Sequence, residues 1–546
     1  MNAVNDTTLI LCAGAINYAA LPVSTNTSNA MIPVNGQPVI GWIIDDLLEK
    51  GIKSAVVVVR PDDHHLRTFI QRAARGRMNI TVAETAGDTI LHSVRAGLQA
   101  TRGGGMTRVI LGDTLIRAPY HHTGDVVYVG AVEESRRWCI ARIDADGRIT
   151  DLIDKRDVPD SPPYQALAGY YHLQHGAVFA ACIDAAIADG ARELSRALLL
   201  YHADHPIYAR ALDSNDWFDF GNIDHLVDAR RRLLAPRHFN ELSINPVLNT
   251  ITKTSLNDAK LSDELDWYTA LPAELQVLTP RIVAAERANG RLRFVQEYYG
   301  YPTLAELWVY GDLHADTWIA ILRRALRIHD EFRRYTAPAQ PADALAIYRD
   351  KTWDRVEALR ASDPTWARLL ARDTVTVNGR ELRGLPRLRD DIDKAISRLI
   401  DDAPEWTILH GDFCFSNILF DLNNQIIRLI DPRGSFGRKG IYGDPRYDIA
   451  KLRHSVCGLY DFITADLFDV TDHGDDVFES AIYADVNVVQ VGAAFDALIR
   501  THGYNASQVR LIEALLFLSM PPLHADKPAR QHMMLLTAFT QLNDLL

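Results

Sequence analysis

The 546-residue chain is 47% hydrophobic and 23% charged, the balance of a soluble globular protein, and is too long for one ordinary core. No apolar run approaches the roughly 18–20 residues that span a bilayer, and a net charge of −12 argues against non-specific nucleic-acid binding. Its five scattered cysteines lack metal-ligand spacing, and no basic segment precedes an apolar one at the N-terminus. The expectation is a cytoplasmic protein of two or three domains, with no membrane span and no nucleic-acid partner. The oligomeric state is left open, a homo-oligomer included.

Up to about residue 234 the chain alternates short apolar strands with helical stretches. Thr8-Leu9-Ile10-Leu11-Cys12, Ser54-Ala55-Val56-Val57-Val58-Val59 and Arg108-Val109-Ile110-Leu111 read as buried strands. Residues 39–50 carry apolar positions at helical spacing and stop at Gly51. This alternation predicts an α/β domain over 1–235 with a mostly parallel sheet, where ligands bind at the carboxyl ends of the strands.

From residue 236 the rhythm changes. Residues 247–254 and 292–298 read as strands of a small sheet, in an N-lobe of about 236–302. Helical patterns such as 318–332 and 508–518 dominate a second lobe of about 303–546. The second half is therefore expected to be an α+β bilobal domain.

The strongest chemical signal lies in that lobe: His410-Gly411-Asp412-Phe413-Cys414-Phe415-Ser416-Asn417, followed by an apolar strand, 426–430, that ends at Asp431. Phosphoryl transfer needs these groups in this order: a carboxylate (Asp412) to orient or deprotonate the attacking hydroxyl, then an amide oxygen (Asn417) and a carboxylate (Asp431) to hold magnesium. Upstream, Lys253 sits on a candidate strand from which its ammonium could reach the ATP phosphates. Glu264, in the following helical stretch, could pair with it. Gln296-Glu297-Tyr298-Tyr299 ends a strand before the helical lobe, so Glu297 and Tyr298 are candidates to offer backbone groups to adenine. Lys260 competes with Lys253, and the Trp267-Tyr268 pair reads as lobe packing.

This ordered set resembles the aminoglycoside phosphotransferase and choline kinase superfamily, over roughly residues 240–546. The resemblance implies a bilobal kinase-like fold with ATP and Mg²⁺ as cofactors. It makes Asp412 the catalytic base and Asn417 and Asp431 the magnesium ligands. Tyr442-Gly443-Asp444-Pro445-Arg446-Tyr447-Asp448 also resembles a family segment, which implies that Asp448 braces the catalytic loop. The stretch 239–253 has no glycine, so the phosphate-covering loop of protein kinases is missing.

The first half carries Leu11-Cys12-Ala13-Gly14, Met31-Ile32-Pro33-Val34-Asn35-Gly36-Gln37-Pro38, Leu111-Gly112-Asp113, Ala168-Gly169-Tyr170 and Trp217-Phe218-Asp219-Phe220-Gly221. In that order these resemble the landmarks of sugar-1-phosphate nucleotidylyltransferases over about 7–234. The resemblance implies that Asp113 and Asp219 bind Mg²⁺ and that Gly87-Asp88-Thr89 lies near the base. The chain departs from the family at two positions: Tyr18 stands where the loop arginine belongs, and Asn29 where the lysine belongs. Neither is cationic, and losing one electrostatic contact of that kind typically costs about 10²–10³-fold in rate. A degenerate ligand-binding module and an active transferase using other residues both stay open here; Lys155 is a candidate sugar-phosphate contact.

The leading expectation is an ATP-dependent phosphotransferase acting on a hydroxyl of a small-molecule substrate. A sugar or polyol is favoured, in precursor synthesis for a surface polysaccharide. The alternatives are a bifunctional kinase and nucleotidylyltransferase making an activated NDP-linked precursor, or a non-catalytic nucleotide-binding regulator.

Overall fold

The computed structural model describes residues 6–14, 27–101, 104–120, 123–221, 223–233, 240–288 and 291–546. The chain divides into two units, Met1–Leu233 with Tyr310–Asp312, and Leu234–Val309 with Leu313–Leu546. Among the described residues no helix is long and apolar enough to cross a membrane.

In the first unit, Ser54–Val59 is buried at every position after Ser54, the pattern of a strand covered on both faces. It pairs in parallel with Thr7–Leu11 and with Asn79–Glu84, and Thr7–Leu11 pairs in parallel with Thr107–Leu111. This parallel quartet is one wing of a nine-stranded sheet. Beyond Thr107–Leu111 the sheet continues antiparallel through Tyr164–Leu173, Cys139–Ile143 and Ile149–Asp154. Helices Ile90–Gln99, Gly176–Ala188 and Leu194–Asp204 close a core on it through Leu91, Val94, Phe179 and Leu198. Each such buried side chain contributes about 1.5–3 kcal/mol. Helix Val39–Glu49 stops as its sequence predicts: Gly51, at φ +77°, donates its N–H to Leu48 O at 3.0 Å.

Register then builds the first site. Leu11 pairs with Leu111, so both strands deliver their next residues to the same edge of the sheet. A Cβ on Gly112 would lie 2.7 Å from both Cys12 Sγ and Leu11 O, so only glycine allows the strand ends to approach this closely.

In the second unit, Asn240–Asn245, Thr250–Ser255, Arg291–Glu297 and Ile282–Ala288 form an antiparallel sheet in that order. The sequence pattern begins the second strand at Val247; in the structure it begins at Thr250. Asn245 Oδ1 accepts the N–H groups of Val247 and Leu248 at 3.1 and 3.0 Å, closing a turn that leaves both apolar side chains exposed. Helix Asp258–Ala270 follows, capped by Asn257, and turns Leu261, Trp267 and Tyr268 inward.

The helical lobe is organised around Pro445–Val456, a helix buried at every position. It also holds a sheet that helical periodicity does not announce, in the order Arg380–Arg383, Thr374–Val377, Val477–Ile482 and Phe468–Asp472. Asn378 and Gly379, at φ 51° and 75°, make the hairpin turn between its first two strands.

Candidate active sites

The segment after strand Trp406–Ile408 is fixed by its backbone. Asp448, fully buried on the central helix, accepts the N–H groups of His410 and Gly411 at 2.7 and 2.8 Å. Trp267 Nε1 donates to Leu409 O at 2.7 Å, and Arg433 N to His410 O at 2.9 Å. Gly411 sits at φ +79°, where an added Cβ would lie 2.8 Å from Arg433 Cβ. Three elements therefore hold this loop, and Asp412 projects from it.

Asp412 meets two partners. Lys451 Nζ lies 2.9 Å from Oδ1, and Asn417 Nδ2 donates to Oδ2 at 3.0 Å. Burial works to raise the Asp412 pKa, but the Lys451 and Arg433 cations outweigh it and hold the carboxyl well below the usual range. Next to it, burial pushes the His410 imidazole down to about 4, so this ring is neutral.

The hairpin of Ile418–Asp421 and Ile426–Leu429 pairs Ile418 with Leu429, which brings Asn417 beside Ile430. Ile430 N donates to Asn417 O at 3.0 Å, and Asp431 follows at φ 55° with its N–H donating to Tyr268 Oη at 3.2 Å. The Asp431 carboxylate accepts from Lys253 Nζ, which also pairs with Glu264 Oε1 at 2.7 Å. Burial would lower the lysine's pKa, yet the Asp431 and Glu264 carboxylates keep it above its ordinary value and charged. The structure thus links Asp412, Asn417, Asp431, Lys253 and Glu264 contact by contact. Lys260 is exposed.

The strand end behaves differently. Tyr298 N donates to Asn249 O at 2.9 Å, so this N–H serves the sheet. The Glu297 carboxylate accepts from Tyr299 Oη at 2.8 Å and pairs with Arg281 at 3.4 Å. Glu297 and Tyr299 border a cavity of about 570 Å³, lined also by Tyr268, Arg281 and Arg428.

Sequence reasoning missed Lys451, Arg433 and the Tyr268 hydroxyl. Lys451 had a signal, since it lies three residues after Asp448 on a helix and so shares its face. The other two depend on the tertiary path of the loop.

In the first unit, strand Trp217–Asp219 pairs with Thr114–Ile116, setting Asp219 opposite Thr114 and so beside Asp113. A Cβ on Gly221 would lie 2.9 Å from Asp113 Oδ2 and 3.5 Å from Asp219 Oδ1, so both carboxylates face one small space. Burial and the Asp219 charge raise Asp113 to about 6. Asn29 Nδ2 reaches Asp113 Oδ2 at 3.3 Å, and His225 Nδ1 lies 2.8 Å from Asp219 Oδ2. Tyr18 lies outside the described residues. Lys155 Nζ pairs with Glu193 at 2.8 Å and Arg192 with Asp88 at 2.9 Å, both on exposed surface.

Comparison with known proteins agrees with this division. Residues 248–465 match the model of the phosphotransferase enzyme family, and residues 10–235 match that of the nucleotidyl transferase family. The chain therefore joins an N-terminal nucleotidyl transferase domain to a C-terminal phosphotransferase domain. It is 25% identical over 174 residues to a glucose-1-phosphate thymidylyltransferase of Xanthomonas campestris pv. campestris (strain B100), covering 30% of this chain and 58% of that protein. It thus spans little more than half the length of that relative. A second such enzyme, from Mycolicibacterium smegmatis, is 22% identical over 232 residues, covering 40% of this chain and 80% of the relative. Among solved structures, UDP-glucose pyrophosphorylase complexed with UDP-glucose aligns at 17% identity and a TM-score of 0.36, covering 42% of this chain and 97% of that one. CTP:phosphocholine cytidylyltransferase from Streptococcus pneumoniae aligns at 17% identity and a TM-score of 0.35, covering 42% and 100%.

Proposed function

We propose that the C-terminal domain is an ATP- and magnesium-dependent kinase that phosphorylates a hydroxyl of a small molecule, a sugar or polyol. The observation that carries this reading is the Asn417 amide held 3.0 Å from Asp412 Oδ2, with its backbone bonded to the residue before Asp431. Asn417 Oδ1 and the Asp431 carboxylate are the hard oxygen donors that magnesium takes. Bound there, the ion would neutralise charge on the nucleotide phosphates.

The residues of the chain divide the remaining work. Lys253, steered by Glu264, supplies a cation for the phosphates. Asp412 orients the acceptor hydroxyl. The hydroxyl oxygen bonds to the γ-phosphorus, the bond from that phosphorus to the bridging oxygen breaks, ADP leaves, and the hydroxyl proton passes to Asp412. A carboxylate held so far below its usual pKa is a weak base, so orientation comes first and the proton moves late.

A second reading adds nucleotidylyl transfer in the N-terminal domain, giving a bifunctional enzyme that makes an activated precursor for a surface polysaccharide in the cytoplasm. It is favoured by the convergence of Asp113 and Asp219 on the space beside Gly221. It requires pyrophosphate release from a sugar phosphate and a nucleoside triphosphate, and loss of that release in Asp113→Ala.

The kinase reading is tested by ADP production from ATP with a panel of sugars, polyols and amino alcohols. Turnover with at least one acceptor is expected. Failure of the protein to bind Mg·ATP at all would overturn it.

A further inference from the structure

Helix Lys351–Ser362 places Lys351 and Arg355 one turn apart on one face. Like charges at that spacing repel, and both side chains are half-buried. Acidic residues of the same helix do not relieve them: Asp354 and Glu357 are exposed, and Glu357 pairs with Arg360. The strongest charges acting on Lys351 and Arg355 come from Tyr447 and from other cations, with no carboxylate among them.

These cations gather around Tyr447 together with Arg433, which also acts on the proposed base Asp412. Arg433 Nη1 donates to Tyr447 Oη at 2.9 Å, its guanidinium lies 5.3 Å from the centre of the Tyr447 ring, and Lys351 Nζ lies 6.0 Å from the same centre. The acids of the neighbourhood are already engaged. Asp412 pairs with Lys451 at 2.9 Å, Asp444 with Arg446 at 2.7 Å, and Asp448 with two backbone N–H groups. The cluster therefore holds more positive charge than its own carboxylates balance.

Neighbouring groups register the excess. Burial works to raise Tyr447, yet Arg433, Lys351 and Lys451 pull its phenol down to about 7. Tyr447 works to raise Lys351, but burial and the charges of Arg433, Arg355 and Lys451 bring it down to about 8. Unbalanced buried charge is costly, and it persists where a ligand supplies the counter-charge.

We propose that the phosphate acceptor of the C-terminal domain is itself an anion, a hydroxylated carboxylate or phosphate monoester, whose charged group is held by Lys351, Arg355 and Arg433 beside Tyr447. The inference deepens the kinase reading and rests on it. Lys451 stays with Asp412 at the transferring phosphoryl group; Lys351 and Arg355 hold the far end of the acceptor, and Arg433, which also acts on Asp412, lies between the two.

The experiment compares ADP production from Mg·ATP with hydroxy acids (glycerate, gluconate, glucuronate), phosphate monoesters (glycerol phosphate, glucose 6-phosphate) and uncharged or cationic acceptors (glycerol, glucose, choline). Turnover is expected in one of the two anionic arms, and which arm responds identifies the charged group. In Lys351→Met the KM for that acceptor should rise about tenfold or more, with the Kd for Mg·ATP changed by less than about threefold. The thermal midpoint should not fall, because an unbalanced cation has been removed. Arg360→Met, near the far end of the same helix and paired with Glu357, should leave the KM unchanged. Preferred turnover of an uncharged or cationic acceptor, or an unchanged KM in Lys351→Met, would overturn the inference while the kinase reading stands. Failure to bind Mg·ATP would remove both.

Discussion

Asn417 donates its Nδ2 hydrogens to both the backbone carbonyl and the carboxylate Oδ2 of Asp412, at 3.0 Å in each case. The amide's donor side thus fixes the proposed base, and its carbonyl oxygen, which accepts only a long 3.5 Å bond from Ser416 Oγ, keeps a lone pair for a cation. Asn417→Asp keeps the shape but sets a second carboxylate against the first. Turnover should fall by about 100-fold or more, and stability by about 1–3 kcal/mol, read from ADP release and denaturant unfolding. Wild-type values in both measurements would break the proposed link between amide and base.

Lys451 sets the charge state of Asp412. With the lysine present, the folded carboxyl lies well below its unfolded value. The stability it contributes is therefore full above about pH 4 and is lost as pH falls through the folded pKa. In Lys451→Met burial acts against a weaker opposing charge, and the Asp412 pKa rises. The acid limb of kcat/KM, which lies below pH 4.5 in the wild type, should move up into the range measured from pH 4.5 to 8. An unmoved limb would show that Lys451 does not hold the base ionised.

Much of this architecture was legible because it rests on local patterns. Ser54–Val59 announced a doubly covered strand by composition, and residues 39–50 announced a helix with Gly51 as its stop. Lys253 and Glu264 were legible as a strand–helix pair, and they lie 2.7 Å apart. Two readings failed for identifiable reasons. The start at Val247 followed apolar character, whereas the Asn245 side chain competes for the backbone and makes a turn. The hairpin at Asn378-Gly379, whose dipeptide is a strong turn signal, was hidden among helical patterns. The cluster of Lys351, Arg355, Arg433 and Tyr447 had no sequence signature, because its members come from separate helices and a loop.

Asp448 holds the loop that carries Asp412 by accepting two backbone N–H groups on one carboxylate. Asparagine offers one oxygen there and faces the second N–H with its own donor. Asp448→Asn should therefore lower stability by about 1–3 kcal/mol in denaturant unfolding and reduce turnover with it. Unchanged stability would remove its bracing role.

The carboxylates of the N-terminal domain call for a different test. Asp113 titrates at about 6 because burial and the Asp219 charge disfavour its ionised form. A divalent cation must displace that proton, so below pH 6 its affinity should fall by about tenfold per pH unit. Mn²⁺ binding followed by electron paramagnetic resonance, in an Asp431→Ala background, measures the N-terminal site. Gly221→Ala should weaken that binding about tenfold or more by filling the space between the carboxylates, leaving ADP production by the protein with Asp431 intact unaffected. Mn²⁺ affinity independent of pH and of Gly221 would contradict the site.

The most direct measurement is the rate of ADP production in Asp412→Asn beside the wild type, with Mg·ATP affinity determined by calorimetry on both. The expected result is loss of turnover by about 10³-fold or more, with the Kd for Mg·ATP changed by less than about threefold. Wild-type turnover in Asp412→Asn would contradict the assignment of this carboxylate as the group that receives the acceptor's proton.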